Sequence, residues 1–362
     1  MWRSRPAAAG MRITDLVVDG YERVARAEDE ASGLRAFISV HSTRLGPSLG
    51  GIRLWPYASD ADALEDVLRL SRAMTYKSAV AHTGLGGGKS VVVADPKDKS
   101  EALFEAMGSF VEDFAGAYIT AEDVNVGIPD LRSVRRTTSH VTGLSVEEGG
   151  GGNPRAATAL GCFLGVCAAL LEATDSAELA GKTVAVQGLG SVGYGLAEHL
   201  VRAGARLVVA DVNPARLART VAELGAEVVT PDAIYDVKCD VLAPCALGGV
   251  LNDDTIPRLN CAVVAGAANN QLLDEYRHGV MLRERGITYA PDYVINAGGV
   301  INISCELQPA GYDAEVALRQ VHAIPETLAG VFERARAEGI TTHAAAQELA
   351  EAALAAGPTT SR

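Results

Sequence analysis

Short apolar runs alternate with amphipathic stretches from Lys182 onward. The stretches GYGLAEHLVRAG and PARLARTVAELG have helical spacing, and the apolar runs between and after them have the length of buried strands: TVAVQ, ARLVVAD, CDVLAP, CAVVAG and ITYAPDYV. Alternation of this kind predicts a parallel, doubly wound sheet. We therefore expect an α/β protein with two domains around a cleft, of which the second is a Rossmann-type domain.

The first half of the chain has one clear amphipathic helix. Ser59 is a suitable N-cap, and apolar or small residues follow at helical spacing, with Lys77 one turn beyond the last of them: Leu64, Val67, Leu68, Ser71 and Met74. A helix over about 101–115 and a strand that ends in acid, AYITAED, are also predicted. The chain closes with an alanine-rich helix over about 341–356.

The glycine run before Lys89 resembles a phosphate-binding P-loop, but its spacing is wrong. A P-loop has four residues between its first glycine and Gly-Lys-Ser, which here requires glycine at Thr83. The residues after Lys89, SVVVAD, have the pattern of a strand and not of a helix. We interpret Lys89 as a strand residue, with the glycines leaving room for a substrate to approach its amine.

The run Gly149–Gly152 is the strongest flexible break in the chain, and we place the domain boundary there. The predicted parts are a disordered tail over 1–12, a substrate-binding and catalytic domain over 13–150, and a nucleotide-binding domain over 151–334. A C-terminal helix over about 335–362 is expected to fold back on the first domain. If Met11 is the true start, the tail is upstream sequence.

Composition narrows the function classes. A net charge of −13 argues against a nucleic-acid or anionic-membrane partner, and no apolar run of about 18 residues suggests a membrane span. The six cysteines form no CxxC pair and the seven histidines have no metal-ligand spacing, so we expect no metal and a reducing cytoplasm.

A dinucleotide site is predicted at GLGSVG, where Gly188, Gly190 and Gly193 form GxGxxG between a strand and a helix. With Ser191 and Val192 they place free N–H groups of a helix N-terminus near a pyrophosphate. Asp211 ends the next strand, where an acid binds the ribose hydroxyls and repels a 2′-phosphate, which favours NAD over NADP. The alternative is a glycine turn that serves packing alone.

The chain resembles the Glu/Leu/Phe/Val amino acid dehydrogenase family, and more closely its leucine, valine and phenylalanine members, over about residues 12–340. The matching motifs are LGGIR (49–53), AMTYKSAVAHTGLGGGKSVV (73–92), TAEDVN (120–125), GLGSVG, CDVLAPCALGGVL (239–251), VVAGAANNQL (263–272) and APDYVINAGGVIN (290–302). One departure is Asn125, where leucine members commonly have glycine.

The resemblance implies a role for each matching residue. Lys77, with the backbone of Gly50 and Gly51, holds the substrate α-carboxylate, while Lys89 and Asp123 move protons. Asn269 and Asn296 lie near the nicotinamide and the substrate. The implied reaction is hydride transfer from Cα to NAD, water attack on the iminium, and release of ammonia and the 2-oxo acid. We also expect a homo-oligomer.

Physical chemistry fits these roles. A second ammonium and partial desolvation lower the pKa of a lysine such as Lys89 toward values useful in a base. Other interpretations remain open: Lys77 as a solvated helix lysine and Asp123 as an N-cap.

The side-chain pocket implied by the resemblance is apolar, being lined by Leu49, Met74, Ala121, Val300 and Ile303. Glutamate members hold the side-chain carboxylate with a lysine and a serine at the positions of Leu49 and Ile303, so glutamate is disfavoured here. Branched Val300 and Ile303 favour leucine, isoleucine or valine over phenylalanine, and ordinary core is the alternative for each residue.

Three functions remain to be compared. The first is an NAD-dependent dehydrogenase of hydrophobic L-amino acids, with a phenylalanine enzyme of the same mechanism as its variant. The second is a catalytically inactive NAD-binding regulatory protein, which intact Lys77, Lys89 and Asp123 argue against. The third is an NTP-using enzyme, which the glycine spacing disfavours.

Overall fold

The computed structural model describes residues 10–358. They group into two compact units. Of the described residues, unit 1 contains those up to Gly152, together with Ile303–Asp313 and those from Glu351; unit 2 contains Asn153–Asn302 and Ala314–Ala350. The first division therefore falls directly after the Gly149–Gly152 run.

Unit 1 is built on a mixed sheet of seven strands in the described chain: β1 (Arg12–Leu16), β2 (Arg23–Asp29), β3 (Leu34–Ser42), β4 (Ser48–Leu49), β5 (Ile52–Trp55), β6 (Gly86–Val93) and β7 (Tyr118–Ile119). The strand order is β1-β2-β3-β6-β4-β7, with β5 also paired to β6. Strands β1, β2, β3 and β6 are antiparallel neighbours, whereas β4, β5 and β7 join by parallel pairing. The carboxyl ends of β4 and β7 consequently lie side by side.

Three helices accompany this sheet: α1 (Asp60–Val80), α2 (Glu101–Glu112) and α3 (Ile128–Arg135). Helix α1 begins as predicted, because the Ser59 hydroxyl accepts a hydrogen bond from the Asp62 N–H. Its buried face includes Val67, Ser71 and Thr75. This face packs against β3 and β6 and brings the end of α1, with Lys77, beside the glycine run.

Unit 2 has a six-stranded parallel sheet: β8 (Thr183–Gln187), β9 (Arg206–Ala210), β10 (Glu227–Val228), β11 (Val241–Pro244), β12 (Val263–Val264) and β13 (Thr288–Tyr289). The spatial order is β10-β9-β8-β11-β12-β13, which is 3-2-1-4-5-6 when the strands are counted within the unit. This order is that of the dinucleotide-binding doubly wound sheet. The predicted α/β class and Rossmann-type sheet are confirmed.

The remaining helices are α4 (Pro154–Thr174), α5 (Ser191–Arg202), α6 (Pro214–Leu224), α7 (Glu275–Glu284), α8 (Asp292–Ile295), α9 (Gly298–Glu306), α10 (Ala314–His322), α11 (Ile324–Glu338) and α12 (Thr342–Ala356). Helix α4 corrects one expectation, since by length and composition it is apolar enough to cross a bilayer. Within unit 2, however, it packs against α5, α10 and α11. That packing accounts for its apolar composition.

Three predicted boundaries need correction. Most of the predicted 1–12 tail lies outside the described residues, but Met11 is buried in the core and Arg12 pairs with Glu28 in the β1–β2 ladder. The predicted helix over 335–362 is interrupted, because α11 ends at Glu338 and is capped by Gly339, which has a left-handed backbone (φ 69°). Only the chain from Glu351 groups with unit 1, and residues 359–362 lie outside the described part.

Candidate active site

Lys89 and Asp123 form the centre of the candidate site in unit 1. Lys89 lies in β6 and is only 6% exposed, and its Nζ is 2.8 Å from Oδ2 of Asp123. Asp123 follows β7 in a tight turn, in which its carbonyl accepts a hydrogen bond from the Val126 N–H. At Asn125 this turn has a left-handed backbone (φ 60°), which asparagine and glycine both adopt readily. The departure from the family pattern at Asn125 is therefore conformationally conservative.

Burial and neighbouring charges set the protonation of this pair. Burial lowers the pKa of Lys89, and the nearby guanidinium of Arg53 lowers it further, against the opposing effect of Asp123. Burial acts to raise the pKa of Asp123, but the charges of Lys89 and Arg53 outweigh it and hold that pKa below its usual value. The site thus combines an amine that loses its proton more easily than free lysine with a carboxylate that is ionised in the resting site.

The glycine run before Lys89 is strand and not turn, because β6 begins at Gly86. A Cβ on Gly87 would lie 2.1 Å from the Thr75 nitrogen, and one on Gly88 would lie 2.7 Å from the Tyr118 ring. Protein atoms therefore occupy the space that we expected a substrate to use. Glycine is required here because helix α1 and the neighbouring strands approach β6 too closely for side chains. Since β6 continues past Lys89 to Val93, no helix N-terminus follows the lysine, and the NTP hypothesis fails.

The predicted carboxylate-binding residues lie around this strand. Lys77 is partly buried in the last turn of α1, on the same helix as Met74. Gly50 and Gly51 connect β4 to β5 and are buried. A Cβ on Gly50 would lie 1.7 Å from the Gly88 carbonyl oxygen, and one on Gly51 would lie 2.2 Å from the carbonyl oxygen of Glu122. The backbone at both positions is thus packed directly against the segments that carry Lys89 and Asp123.

The predicted pocket residues are divided between the units. Leu49, Ala121 and Ile303 lie in unit 1 and are buried, and Met74 is partly buried there. Val300 is buried in unit 2. Leu49 in β4 is aligned with Gly87 of β6 and Ile119 of β7, close in the sheet to the start of the TAEDVN segment.

Two groups of site residues were not identified from the sequence. Arg53 donates to Asp123 and to Asp66, and the hydroxyl of Tyr57 also donates to Asp66. Arg53 is the last residue of the LGGIR motif, but its partners Asp123 and Asp66 lie 70 and 13 residues away, so the motif alone did not indicate these contacts.

The second such group centres on Glu306. Its carboxylate accepts hydrogen bonds from the Thr142 hydroxyl and from the N–H groups of Gly143 and Gly151. No sequence signal marked this contact, since more than 150 residues separate the partners.

The glycine turn of unit 2 is tightly packed on one side and open on the other. Gly188 is left-handed (φ 96°), and a Cβ on Gly193 would lie 2.1 Å from the Gly188 carbonyl oxygen. Gly190 begins helix α5 without a side-chain cap, and a Cβ there would meet nothing within 4 Å. The N-terminal N–H groups at Ser191 and Val192 are therefore next to open space.

Asp211 lies at the end of β9, as predicted, with a side chain that is 4% exposed. Its Oδ2 accepts a hydrogen bond from the Leu189 N–H at 2.6 Å, and its Oδ1 accepts one from the Asn213 N–H at 2.7 Å. Arg216 is 3.7 Å from Oδ2. The carboxylate thus fastens the glycine turn to β9, in addition to any contact with a ribose.

Asn269 and Asn296 lie together in unit 2. The Asn296 Nδ2 donates to Oδ1 of Asn269 at 2.8 Å and to the Ala267 carbonyl at 3.2 Å. Asn296 is buried, and its Oδ1 has no hydrogen-bond partner among the described residues. A buried acceptor of this kind is costly unless a ligand donates to it.

Known proteins resemble this chain over nearly its whole length. A family model for the Glu/Leu/Phe/Val dehydrogenase dimerisation domain matches residues 17–140, and a Glutamate/Leucine/Phenylalanine/Valine dehydrogenase model matches residues 149–215 and 212–360. Leucine dehydrogenase of Thermoactinomyces intermedius is 53% identical, covering 91% of this chain and 90% of the relative. Phenylalanine dehydrogenase of Lysinibacillus sphaericus is 44% identical, covering 91% and 87%. The crystal structure of L-tryptophan dehydrogenase from Nostoc punctiforme has a TM-score of 0.80 and 44% identity, covering 93% of this chain and 96% of that one.

Proposed function

Since the chain belongs to the Glu/Leu/Phe/Val dehydrogenase family and is an amino acid dehydrogenase, we propose that it oxidatively deaminates leucine, valine and isoleucine with NAD. The products are the 2-oxo acid, ammonia and NADH, and the reaction is reversible. One observation carries the proposal: buried Lys89 is paired at 2.8 Å with an ionised Asp123 in the catalytic unit.

Lys89 acts as the proton-transfer residue. Its lowered pKa gives a larger neutral fraction near neutral pH than a free lysine has, so it can take a proton from the substrate amine or from water. Asp123 exchanges protons with it and stabilises its charged form. Lys77, with the backbone at Gly50 and Gly51, holds the α-carboxylate, because a carboxylate removed from water needs an oriented cation.

The residues of unit 2 fit NAD. The open space at Gly190 and the free N–H groups of α5 suit a pyrophosphate, and the acid at Asp211 suits unphosphorylated ribose. The unpartnered Oδ1 of Asn296 suits a carboxamide donor such as that of nicotinamide. When bound, NAD accepts the hydride that leaves the substrate Cα.

Preference for a branched aliphatic side chain rests on the buried apolar residues Leu49 and Ile303 of unit 1, which offer no partner for a side-chain carboxylate. Higher identity to a leucine dehydrogenase than to a phenylalanine dehydrogenase supports the same preference. Phenylalanine is the alternative substrate.

The match to a dimerisation-domain model supports a homo-oligomer. The six free cysteines are consistent with a reducing cytoplasm.

The proposal is tested by following absorbance at 340 nm with the purified full-length protein, NAD and a panel of L-amino acids. We expect kcat/KM to be highest for leucine, valine or isoleucine, lower for phenylalanine, and negligible for glutamate. NAD binding without a signal from any amino acid would instead support an inactive NAD-binding protein. A preference for phenylalanine would overturn the substrate assignment alone.

A further inference from the structure

A row of charged and polar side chains extends outward from Lys89 in unit 1. Lys89 Nζ lies 2.8 Å from Oδ2 of Asp123, and Arg53 Nε donates to the same oxygen at 3.0 Å. Arg53 Nη1 then donates to Oδ2 of Asp66 at 2.9 Å. The Tyr57 hydroxyl donates to that oxygen of Asp66 at 2.6 Å. Positive and negative groups therefore alternate from the sheet to the face of α1.

Both cations meet the same oxygen of Asp123. Its other oxygen, Oδ1, makes no hydrogen bond to any residue of the described chain, and the side chain is 25% exposed. A carboxylate with two donors on one oxygen has a defined rotation about its Cβ–Cγ bond, because charge-assisted hydrogen bonds are short and directional. Without Arg53, the Asp123 carboxylate could rotate about its Cβ–Cγ bond until both of its oxygens contact the Lys89 ammonium.

Arg53 is itself held in place. It lies in β5, whose pairing with β6 aligns Arg53 with Val91, two residues beyond Lys89. Its side chain is 23% exposed and Asp66 is 14% exposed, so this ion pair is shielded from solvent. At the outer edge, Arg69 contacts Oδ1 of Asp66 at 3.4 Å but is 64% exposed. The planar guanidinium can bridge two carboxylates at once, which a lysine ammonium at this position would not do with the same geometry.

We propose that Arg53 is a positioning residue of the deamination site: it orients the carboxylate of Asp123 so that Oδ1 faces the substrate amine, and Asp66 and Tyr57 hold Arg53 in that role. The proposal rests on the function proposed above, in which Lys89 and Asp123 move the protons. It assigns a functional role to the arginine of the LGGIR motif. Arg53 acts through Asp123 and does not touch the substrate.

The row of charges also tunes Lys89, which gives the proposal a distinctive signature. After burial, which lowers the pKa of Lys89, the neighbouring charges act in opposite directions: Asp123 and Asp66 raise that pKa, and Arg53 lowers it. Deamination needs neutral Lys89, so kcat/KM rises with pH through this pKa. Removing the charge of Arg53 should move the rising limb to higher pH, and removing that of Asp66 should move it to lower pH.

The test compares Arg53→Gln, Arg53→Lys and Asp66→Asn with the wild type in pH profiles of kcat and kcat/KM for leucine deamination. Arg136→Gln is the matched control, because Arg136 forms an exposed ion pair with Glu101 and Glu105 in the same unit. Lys89→Ala is measured beside them. For Arg53→Gln we expect kcat to fall about 10²-fold with little change in the KM for leucine. The rising limb of the kcat/KM profile should move to higher pH by about one unit. Arg53→Lys should restore the limb but not kcat, and Asp66→Asn should shift the limb downward.

Each outcome decides something. Suppose that Arg53→Gln has the kcat and the pH profile of the wild type, while Lys89→Ala is inactive. This result would overturn the positioning role and leave the proposed function intact. Deamination retained by Lys89→Ala would instead remove the proposed chemistry itself. If Arg53→Gln does not fold, Asp66→Asn decides: a reduced kcat together with a rising limb at lower pH supports the proposal, and a wild-type kcat, or a limb that is unchanged or at higher pH, contradicts it.

Discussion

The carboxylate of Asp211 has two roles that a single substitution can separate. It accepts hydrogen bonds from the Leu189 and Asn213 N–H groups, and its charge is expected to repel the 2′-phosphate of NADP. Asp211→Asn removes the charge and keeps one acceptor oxygen. We expect the ratio of kcat/KM for NADP to that for NAD to rise at least about tenfold, equivalent to roughly 1.4 kcal/mol. Asp240→Asn is the control, since Asp240 also accepts a backbone hydrogen bond, from Thr183. An unchanged cofactor ratio in Asp211→Asn would show that Asp211 does not face the ribose.

A substitution at Ile303 tests the preference for branched aliphatic substrates. It is 8% exposed in unit 1 and lies on α9. If it narrows the side-chain pocket, Ile303→Ala should raise kcat/KM for phenylalanine relative to valine, because valine then leaves a void beside it. Discrimination of this kind amounts to about 1–3 kcal/mol. Deamination should survive because Lys77 is unchanged. An identical valine-to-phenylalanine ratio would place Ile303 in the core.

At the scale of elements, Gly88 in strand β6 allows close packing, whereas Gly190 at the start of helix α5 leaves open space. A Cβ at Gly88 would lie 2.7 Å from the Tyr118 ring and 2.8 Å from the Ser48 hydroxyl, whereas one at Gly190 would meet nothing within 4 Å. Gly88→Ala should therefore displace β6 and destabilise unit 1 by about 1–3 kcal/mol. Gly190→Ala should fold with nearly wild-type stability and raise the KM for NAD, because the new methyl group occupies the pyrophosphate's approach. Calorimetry and NAD titration distinguish the two, and equal melting temperatures would contradict the packing argument.

The elements that the sequence predicted share one property. Helices α1, α2, α5 and α6 and strands β8 and β9 have local signals, namely a cap, a periodic apolar face or a short apolar run between polar residues. Strands β1 to β5 were not predicted. Strand β4 is only Ser48–Leu49, and β5 pairs with β6, which lies beyond helix α1 in the chain. Strands β1, β2 and β3 do pair with their neighbours along the chain, but charged residues such as Asp15 and Arg26 interrupt the apolar runs of β1 and β2. The start of β6 was missed because a glycine run has no side-chain pattern at all.

The same distinction applies to the candidate site. Lys89, Asp123 and the GLGSVG turn stand in recognisable motifs, and β6 does carry the lysine. Arg53 and Glu306 gain their importance from partners that the fold brings together, and no local pattern encodes such a contact. Ile303–Asp313 groups with unit 1, although the predicted nucleotide-binding domain ran without interruption over 151–334. No local pattern in the sequence marks this excursion.

For the whole molecule, Glu306 is the residue that joins distant parts of the chain in unit 1. It follows Ile303 by one helical turn on α9, and it accepts hydrogen bonds from Thr142, Gly143 and Gly151, just before the division at Gly152. Glu306→Gln places an amide N–H group against donors that need an acceptor, so we expect a loss of about 2–3 kcal/mol in unfolding free energy. Because Ile303 is on the same helix, discrimination between leucine and phenylalanine should relax as well. Glu148→Gln is the control, since Glu148 pairs with Arg132 in the same loop region at the surface, and its melting temperature should stay near the wild-type value. Calorimetry with kinetics on both amino acids checks the pair, and a Glu306→Gln variant as stable and as selective as the wild type would show that the segment 303–313 is held without this carboxylate.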